Sequence, residues 1–293
     1  MTSSSIDAGN QRIYQDTVFI ANMEICFSIF KFFDEVTARQ HNENARDKIM
    51  TDNEFEQVIA HIEAARTLGD LCDVIHTLRE RFGLAHVAYH AMVLPDGNLL
   101  DPIVLQTYDR KWVDRYIAKN YHRIDPVLQE VWKGFLPIDW SMIDRTSTSV
   151  QHFFGEAETY GVGSRGLTFP IRGPGGERAV LTVTTNLPEP EWHSRRLSYM
   201  RDFQLLAQFF HDRAINLAGG RPKRCLLSAR EAESLRLAAA GRHIKQIADE
   251  LQISVSAIQL YLRNARRKLG CASLTEAAVK AGRLDLLIDH RCS

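Results

Sequence analysis

The chain has 293 residues, of which 45% are hydrophobic and 25% charged, as in a soluble globular protein of about two domains. This composition excludes a collagen-like rod, a coiled-coil rod and a largely disordered chain. Five scattered cysteines without a CxxC pair indicate free thiols, not a disulfide framework or a zinc knuckle. The sequence has no apolar run of about 18 residues and no basic stretch at its start, so we expect a cytoplasmic protein without membrane association.

The formal net charge is zero but is divided unevenly along the chain. Residues 221–293 contain 14 Lys and Arg against 7 Asp and Glu, a net charge of +7, and the preceding residues carry −7. A boundary is expected where the sign changes, because Gly219, Gly220 and Pro222 interrupt a helix. A basic segment of this kind is typical of proteins that meet a polyanion. The predicted segments are an N-terminal extension of unknown role at 1–50, a domain at 51–216, a linker at 217–225 and a basic domain at 226–293.

The N-terminal extension has two interpretations, which the sequence leaves open. Phe19 to Phe33 could form one amphipathic helix added to the next domain or to a dimer interface. The alternative is a misassigned translation start, in which the protein begins at Met50.

The segment 51–216 mixes helical and extended patterns. Gly173 to Glu177 reads Gly-Pro-Gly-Gly-Glu between two apolar runs and predicts a β-hairpin. In the second run, alternation puts Thr182 and Thr184 on one face of a strand, where a threonine can line a pocket. Helices are predicted at 54–67, 70–82, 109–119, 125–133, 149–160 and 191–214, and strands at 85–93, 100–106, 165–172 and 178–185.

An aromatic stripe and a carboxylate follow the second predicted strand. Tyr108, Trp112 and Tyr116 are spaced i, i+4, i+8 and therefore share one face of a helix. Such a stripe is usually hydrophobic core, but the nearby Asp125 would be costly to bury without a partner. An indole N–H and a phenol O–H donate, whereas a carboxylate accepts, so the set matches a small amide with a further carbonyl. Asp125 would accept from the amide N–H, and Tyr108 and Trp112 would each donate to a carbonyl.

The basic domain is helical from Leu227 onward. Ser228 and Glu231 form a predicted capping box, and so do Ser273 and Glu276. In a capping box each side chain satisfies a backbone N–H that the helix itself cannot pair. These two boxes mark the starts of the first and last helices of the domain.

Two further helices lie between these starts. Gly241 ends the first helix, a second helix runs from about His243 to Leu251, and Ser254 caps a third. Short helices joined by tight turns indicate a helix-turn-helix unit, whose second helix enters the major groove of DNA.

The third helix has one apolar side and one polar side. Its apolar stripe consists of Ile258, Leu262, Ala265 and Leu269. A solvated helix face normally mixes Glu with Arg, but residues 254–274 contain no acid. The pattern therefore predicts DNA binding, with cations on phosphates and Arg, Gln or Ser on base edges. The polar side carries Ser256, Gln259, Arg263, Arg266 and Arg267.

The segment LSAREAESLRLAAAGRHIKQIADELQISVSAIQLYLRNARRKLGCAS resembles the LuxR/FixJ-type helix-turn-helix, over 226–288. Glu231, Leu235 and Gly241 match positions that are nearly invariant in that family. The resemblance implies an all-α four-helix domain that binds a pseudo-palindromic DNA site as a homodimer, with the fourth helix (about 273–282) contributing to dimerisation. RNA polymerase is a further candidate partner. The implied base-reading residues are Ser256, Gln259 and Arg263, and the implied phosphate contacts are Lys245, Arg266 and Arg267.

The spacing Tyr-x3-Trp-x3-Tyr-x8-Asp-Pro, followed by Trp140 and Gly166, resembles the autoinducer-binding domain of LuxR-type quorum-sensing receptors over about 55–215. The resemblance implies an α+β protein whose N-terminal α/β/α sandwich encloses an N-acyl-homoserine lactone, with no cofactor and no metal. It implies that Trp112 binds the lactone carbonyl, Asp125 the amide N–H and Tyr108 the acyl carbonyl. For the other matched residues the resemblance implies supporting roles. Tyr116 and Trp140 form walls of the pocket, Thr182 adds a hydroxyl, and Pro126 and Gly166 are structural.

Other inputs and one other function are weighed against this hypothesis. Control by phosphorylation would need a receiver domain, with alternating strands and helices that carry an acidic cluster, an aspartate and a lysine, and this series is missing from 51–216. A non-lactone small molecule is the other alternative input. An enzyme acting on lactones would need a metal motif or a nucleophile–base set, and HExxH, GxSxG and Walker sequences are absent. Gly161 to Gly166 fits GxGxxG, but a helix precedes it and a strand follows, the reverse of a dinucleotide site. The sequence therefore predicts a ligand-responsive transcription factor and not an enzyme.

Overall fold

The computed structural model describes residues 51–93, 102–219 and 227–287. The chain divides into two compact units between Gly220 and Arg221. The predicted extension at 1–50 and the linker from 220 onward lie outside the described residues. No helix of the described ranges is long and apolar enough to cross a membrane.

The first unit contains six helices and five strands within its described residues. The helices are α1 (Asp52–Ala64), α2 (Leu68–Arg81), α3 (Arg110–Ala118), α4 (Pro126–Val131), α5 (Thr148–Thr159) and α6 (Glu189–Leu217). The strands are β1 (His86–Val93), β2 (Ile103–Gln106), β3 (Ile138–Asp139), β4 (Arg165–Arg172) and β5 (Arg178–Thr185). Every predicted helix and strand of this unit is present. The sequence did not indicate β3 or the single-turn 3₁₀ helices at Tyr121–Arg123 and Trp140–Met142.

The helix ends of this unit differ from their predicted positions by one to three residues. Helices α1 and α2 each begin two residues early, because Thr51 and Thr67 form capping boxes with Glu54 and Asp70. Helix α6 continues to Leu217, which was expected to be the first residue of the linker. The added residues include Ile215, which is buried in the core like Ala214 before it.

The five strands form one antiparallel sheet in the order β2-β1-β5-β4-β3. The predicted hairpin at Gly173 to Glu177 joins β4 to β5, and Arg172 pairs with Arg178 across it. One cross-strand row contains five residues from the five strands: Gln106, Ala88, Thr182, Thr168 and Ile138.

Side chains alternate between the two faces of this sheet. On one face, Tyr89 and Leu181 join a hydrophobic core with Ile62 of α1, Leu78 of α2 and Phe203 of α6. On the other face lies a second apolar cluster, formed by the segments from α3 to α5 and including Trp112, Val127, Trp140 and Phe153. The predicted α/β/α sandwich is therefore confirmed.

The second unit is helical throughout its described residues. Its helices are α7 (Ala229–Ala239), α8 (Ile244–Leu251), α9 (Val255–Lys268) and α10 (Leu274–Arg283). Ser228 and Glu231 form the predicted capping box of α7. At α10 only half of the predicted box is present, since Glu276 accepts from the N–H of Ala272 and not from that of Ser273.

Two features fix the turns and the core of the second unit. Gly241 follows α7 with a φ of +82°, a left-handed conformation that glycine adopts without strain, so the predicted helix stop is confirmed. Leu235 of α7 is fully buried and shares a core with Ile258 and Leu262 of α9. The predicted apolar stripe of α9 therefore faces the other helices.

Candidate ligand cavity and DNA-binding surface

A cavity of about 100 Å³, measured as the space open to the centre of a water molecule, lies between the sheet and α3–α5. Its floor consists of sheet residues such as Ala88, Val104 and Val180, and Val113 of α3 and Ala157 of α5 lie above them. The six side chains predicted to contact a ligand all line this one cavity: Tyr108, Trp112, Tyr116, Asp125, Trp140 and Thr182. The structure thus brings the aromatic stripe, the carboxylate and the strand hydroxyl together.

Asp125 is fixed by the start of α4. It is the N-cap residue, and its Oδ1 accepts from the N–H groups of Val127 at 2.8 Å and Leu128 at 3.3 Å. Pro126 occupies the first helical position, where the missing N–H costs nothing. The second oxygen, Oδ2, accepts from the Tyr116 hydroxyl at 2.8 Å. Tyr116, expected as a wall, therefore also orients the carboxylate.

Burial shifts the pKa values of the ionisable cavity groups in the direction that favours their uncharged forms. Burial raises the pKa of Asp125 to about 6, although the Tyr116 hydroxyl and the backbone N–H donors oppose this rise. Burial, with the nearby charge of Asp125, raises the pKa of Tyr108 and that of Tyr116, so both remain donors. Burial lowers the pKa of His90 to about 4, so this cavity residue is uncharged at neutral pH.

Two donors on aromatic side chains of the cavity are not engaged by the protein. Within the described residues, neither the Trp112 indole N–H nor the Tyr108 hydroxyl makes a hydrogen bond. Trp112 is held instead by ring contacts, among them Tyr121 and Phe153 at centroid distances of 6.0 Å. These two donors are therefore available to acceptors of a bound molecule.

Trp140 closes one side of the cavity because Gly166 leaves room for it. A Cβ atom on Gly166 would lie 2.6 Å from Cδ2 of the indole, far inside van der Waals contact. The indole N–H donates to Thr168 Oγ1 at 3.0 Å, and that oxygen lies 3.0 Å from Thr182 Oγ1. Asp139 fixes the turn before the indole through the Ser141 N–H and the Arg196 guanidinium. The architectural role expected of Gly166 thus has a steric basis.

A salt bridge connects the helices that cover the cavity. Arg115 of α3 pairs with Glu156 of α5, and the Tyr121 hydroxyl donates to the same carboxylate at 2.7 Å. These contacts, first the Arg115 hydrogen bonds and then that of Tyr121, lower the pKa of Glu156 to about 2. The bridge connects α3, the 3₁₀ turn and α5, which all contribute to the cavity or its aromatic wall.

The sequence did not indicate two polar residues of the cavity floor. Gln106 ends β2 and His90 lies on β1, and both line the cavity. The buried run Ile103–Gln106 has no polar alternation that would separate its two faces. The cross-strand register of the sheet brings these residues to the cavity, and the spacing of residues along the sequence does not reveal that register.

The second unit presents a cationic face on α9. Ile258, Leu262, Ala265 and Leu269 are buried, so the opposite side of the helix faces outward. All six predicted DNA contacts are exposed: Lys245, Ser256, Gln259, Arg263, Arg266 and Arg267. Lys268, by contrast, turns back and pairs with the buried Glu231 of α7 at 2.7 Å. Glu231 thereby ties α9 to the start of α7, in keeping with its expected structural role.

No group of three or more His, Cys, Asp or Glu side chains that could hold a metal ion occurs in the described part of the chain. A mainly apolar cavity in one unit and a cationic helix-turn-helix in the other define a ligand-responsive DNA-binding protein.

Comparison with known proteins identifies the family. Residues 67–214 match the autoinducer binding domain, and residues 226–281 match the model of bacterial regulatory proteins of the luxR family. The chain belongs to the LuxR family of quorum-sensing transcriptional regulators and carries an autoinducer-binding domain. A transcriptional regulator of this family is not an enzyme, and its small molecule is a signal and not a cofactor.

Relatives and solved structures agree with this assignment. The transcriptional activator protein RaiR of Rhizobium etli is 44% identical over 201 residues, covering 68% of this chain and 83% of that protein. The quorum sensing-dependent regulator VjbR of Brucella abortus is 34% identical over 198 residues, covering 65% and 76%. Escherichia coli SdiA has the same fold at 20% identity, with a TM-score of 0.54 over 81% of this chain and 99% of that chain. SdiA in complex with octanoyl-rac-glycerol gives a TM-score of 0.56.

Proposed function

We propose that this regulator binds an N-acyl-homoserine lactone in the cavity of its first unit. The observation that carries the proposal is the composition of the cavity: one anchored carboxylate, two unengaged donors and otherwise mainly apolar walls. An acyl-homoserine lactone offers one amide N–H, two carbonyls and an apolar chain. The two sets of groups are complementary.

Three polar groups of the cavity then have one partner each on the ligand. Asp125 accepts from the amide N–H, Tyr108 donates to the acyl carbonyl and Trp112 donates to the lactone carbonyl. The acyl chain contributes burial of about 25 cal/mol per Å² of apolar surface, in addition to these three hydrogen bonds. The remaining contacts come from Tyr116 and Trp140 as walls and from the hydroxyl of Thr182.

We propose that the second unit binds a pseudo-palindromic promoter site as part of a homodimer, in the cytoplasm. Ser256, Gln259 and Arg263 would read bases, and Lys245, Arg266 and Arg267 would contact phosphates. Two copies of α9 would enter the major groove about one turn, or a multiple of it, apart. Helix α10 is the proposed dimer contact, and RNA polymerase is a further candidate partner. The proposed domain boundaries are 51–216, 217–225 and 226–293, with 1–50 as an extension.

Ligand and DNA binding are coupled through the folded state. A lactone that binds only the folded first unit stabilises it by mass action, by about 2.7 kcal/mol at a hundredfold excess over Kd. The ligand would then raise the amount of folded dimer that is able to bind DNA.

The decisive experiment is mass spectrometry of small molecules released from the protein after expression with a panel of acyl-homoserine lactones. We expect one or a few lactones at close to one per chain in the wild type. Asp125→Asn should retain much less, because the amide N–H then faces a weaker, uncharged acceptor. The matched control is Asp109→Asn, which removes an exposed charge at the cap of α3. Equal retention by both variants would contradict the assignment of the cavity.

A further inference from the structure

Leu260 is an apolar residue on the outward face of α9. Its side chain is 49% exposed. Ile258 and Leu262, two residues away on either side, are buried in the core of the second unit, whereas Leu260 is not part of that core. Among the exposed residues from 256 to 268, all of which the structure describes, Leu260 is the only apolar one. Its apolar surface therefore remains open to a binding partner.

Leu260 lies among the residues proposed to contact DNA. At about 100° per helical residue, the side chain of Leu260 points within about 40° of Ser256 and about 60° of Arg263. It points within about 20° of Arg267. A helix that brings Ser256 and Arg263 to the base edges of a groove therefore also brings Leu260 to them.

The charge around Leu260 favours DNA over an apolar protein surface as its partner. Arg263 and Arg267 flank the leucine, and residues 254–274 contain no acid. The core of a protein–protein interface is depleted in charged residues, which does not fit this face. An isolated exposed leucine is ordinary on a protein surface, but this one would lose its water when DNA binds the face that surrounds it.

The major groove presents one apolar group among the four bases. Guanine, adenine and cytosine present acceptors and amino donors there, whereas thymine presents an acceptor and its C5-methyl group. A leucine side chain neither donates nor accepts a hydrogen bond. Burial against the methyl group is therefore the favourable contact that it can make with a base edge.

We propose that Leu260 packs on the C5-methyl group of a thymine, beside the base pair that Arg263 reads. This inference rests on the proposed DNA-binding function of the second unit and adds a determinant of its sequence preference. Ser256 and Arg263 would then read hydrogen-bonding groups, and Leu260 the methyl group of a base between them. A 5-methylcytosine presents the same apolar group and should therefore substitute in part for the thymine.

The test uses the full chain, expressed with the panel of acyl-homoserine lactones, and a duplex site that the wild type selects from a random library. Each thymine of the selected site is replaced singly by deoxyuridine, which keeps the base pair and its acceptors and lacks only the methyl group. One thymine in a half-site, beside the base pair at which Arg263→Ala relaxes preference, should be sensitive to this change. Its replacement should weaken binding about fourfold, the effect of one buried methyl group.

Variants at position 260 assign this effect to the leucine. Leu260→Ala should bind the thymine and deoxyuridine sites equally, because alanine does not reach the methyl group. Leu260→Met keeps a long apolar side chain and should retain the difference. Alanine and methionine are good helix formers and the position is exposed, so both variants should fold. The matched control, Leu205→Ala, removes a leucine of 47% exposure from α6 of the first unit and should retain the full difference.

A second pair of duplexes, with cytosine or 5-methylcytosine at the same position, measures the methyl group independently of thymine. The wild type should bind the methylated duplex about fourfold more tightly, and Leu260→Ala should bind both equally. If Leu260→Ala binds too weakly for the comparison, a lower salt concentration raises the affinity for every duplex through the phosphate contacts.

The outcomes separate this inference from the proposed function. A selected site without thymine at this position, no loss with deoxyuridine, or the same loss in Leu260→Ala would overturn the inference and leave DNA binding by the second unit intact. Failure of the wild type to select any site would overturn both.

Discussion

Asp125 performs two tasks with its two carboxylate oxygens. One oxygen caps α4 through the N–H groups of Val127 and Leu128, and the other accepts from Tyr116 at the cavity. The cap fixes the position of the carboxylate, so that it does not need a ligand to orient it. Because the group is buried, its pKa of about 6 lies close to physiological pH, where a change of pH alters its charge.

This pKa predicts a pH-dependent affinity for the signal. The protonated carboxyl contributes stability to the ligand-free protein that is fully present below pH 3.8 and is lost as the pH rises through about 6. An amide N–H needs the ionised carboxylate, so affinity should fall below pH 6, by about tenfold per pH unit once the group is mostly protonated. Tyr108 and Tyr116 keep their protons throughout this range, and His90 stays neutral above about pH 4.

Titration of binding between pH 5 and 8 checks the prediction. Asp125→Asn removes the titrating group while keeping an acceptor, so its weaker affinity should not change over this range. A wild-type profile without a slope, or the same slope in the variant, would assign the pH dependence to another group.

Gly166 offers a second test at the level of single residues. Gly166→Ala would place a methyl group against the Trp140 indole, and overpacking of this kind costs about 1–3 kcal/mol. Displacing the indole should also weaken ligand binding, since Trp140 lines the cavity. The control is Gly155→Ala on the exposed side of α5, where nothing lies within 4 Å of the new Cβ. It should stabilise the protein by about 0.5–1 kcal/mol through helix propensity. Urea unfolding of both variants measures these free energies, and equal stability would contradict the steric role.

Among the elements, those with a local signal were predictable from the sequence. Strands β4 and β5 were predicted at their observed residues because Gly-Pro-Gly-Gly marks the turn between them. Strand β3 has two residues and pairs only with β4, so no local periodicity reveals it. The single-turn helix at Trp140 was missed for the same reason, because it is too short to show a periodic pattern.

In the candidate site, too, the residues that lie close together in the sequence were predictable, and those brought together by strand pairing were not. Trp112 and Tyr116 could be grouped because helical spacing places them on one face of α3. Tyr108 was expected on the same helix face, but it precedes Asp109, the N-cap of α3, and it lines the cavity from the segment between β2 and that helix. The floor of the cavity could not be derived in this way. Gln106 joins the same cross-strand row as Thr182, with Ala88 between them, through the pairing of β2 with β1 and of β1 with β5, a long-range arrangement that local spacing does not show.

Helix α9 supports a prediction about DNA recognition. Arg263 is exposed and forms no ion pair within the described part of the second unit, so its guanidinium is available to a base edge. Arg263→Ala should reduce affinity for the target site by about 1–3 kcal/mol and relax preference at one base pair. The control, Arg230→Ala, removes an exposed arginine of α7 that pairs with Glu233. Binding to a library of site variants provides the measurement. Weaker binding with unchanged preference would make Arg263 a phosphate contact instead.

In the whole molecule, the two units of the regulator differ in their chemical properties. The acidic part of the chain contains the apolar cavity, and the basic part contains the cationic α9. A ligand enclosed between the sheet and α3–α5 becomes part of the core of the first unit, so its absence leaves apolar surface without a partner. Signal binding and folding of the first unit are therefore expected to be linked, while contact with DNA depends on the second unit.

The role of residues 1–49 can be tested by starting the chain at Met50. The shortened chain keeps Thr51, whose hydroxyl and N–H form the capping box of α1 with Glu54. It also keeps Val58 and Ile62, which anchor α1 in the core. We therefore expect the same lactone and DNA affinities as for the full chain, measured on both proteins under one salt concentration because DNA binding depends on salt. An insoluble product, or loss of either affinity, would instead assign residues 1–49 a structural part in the regulator.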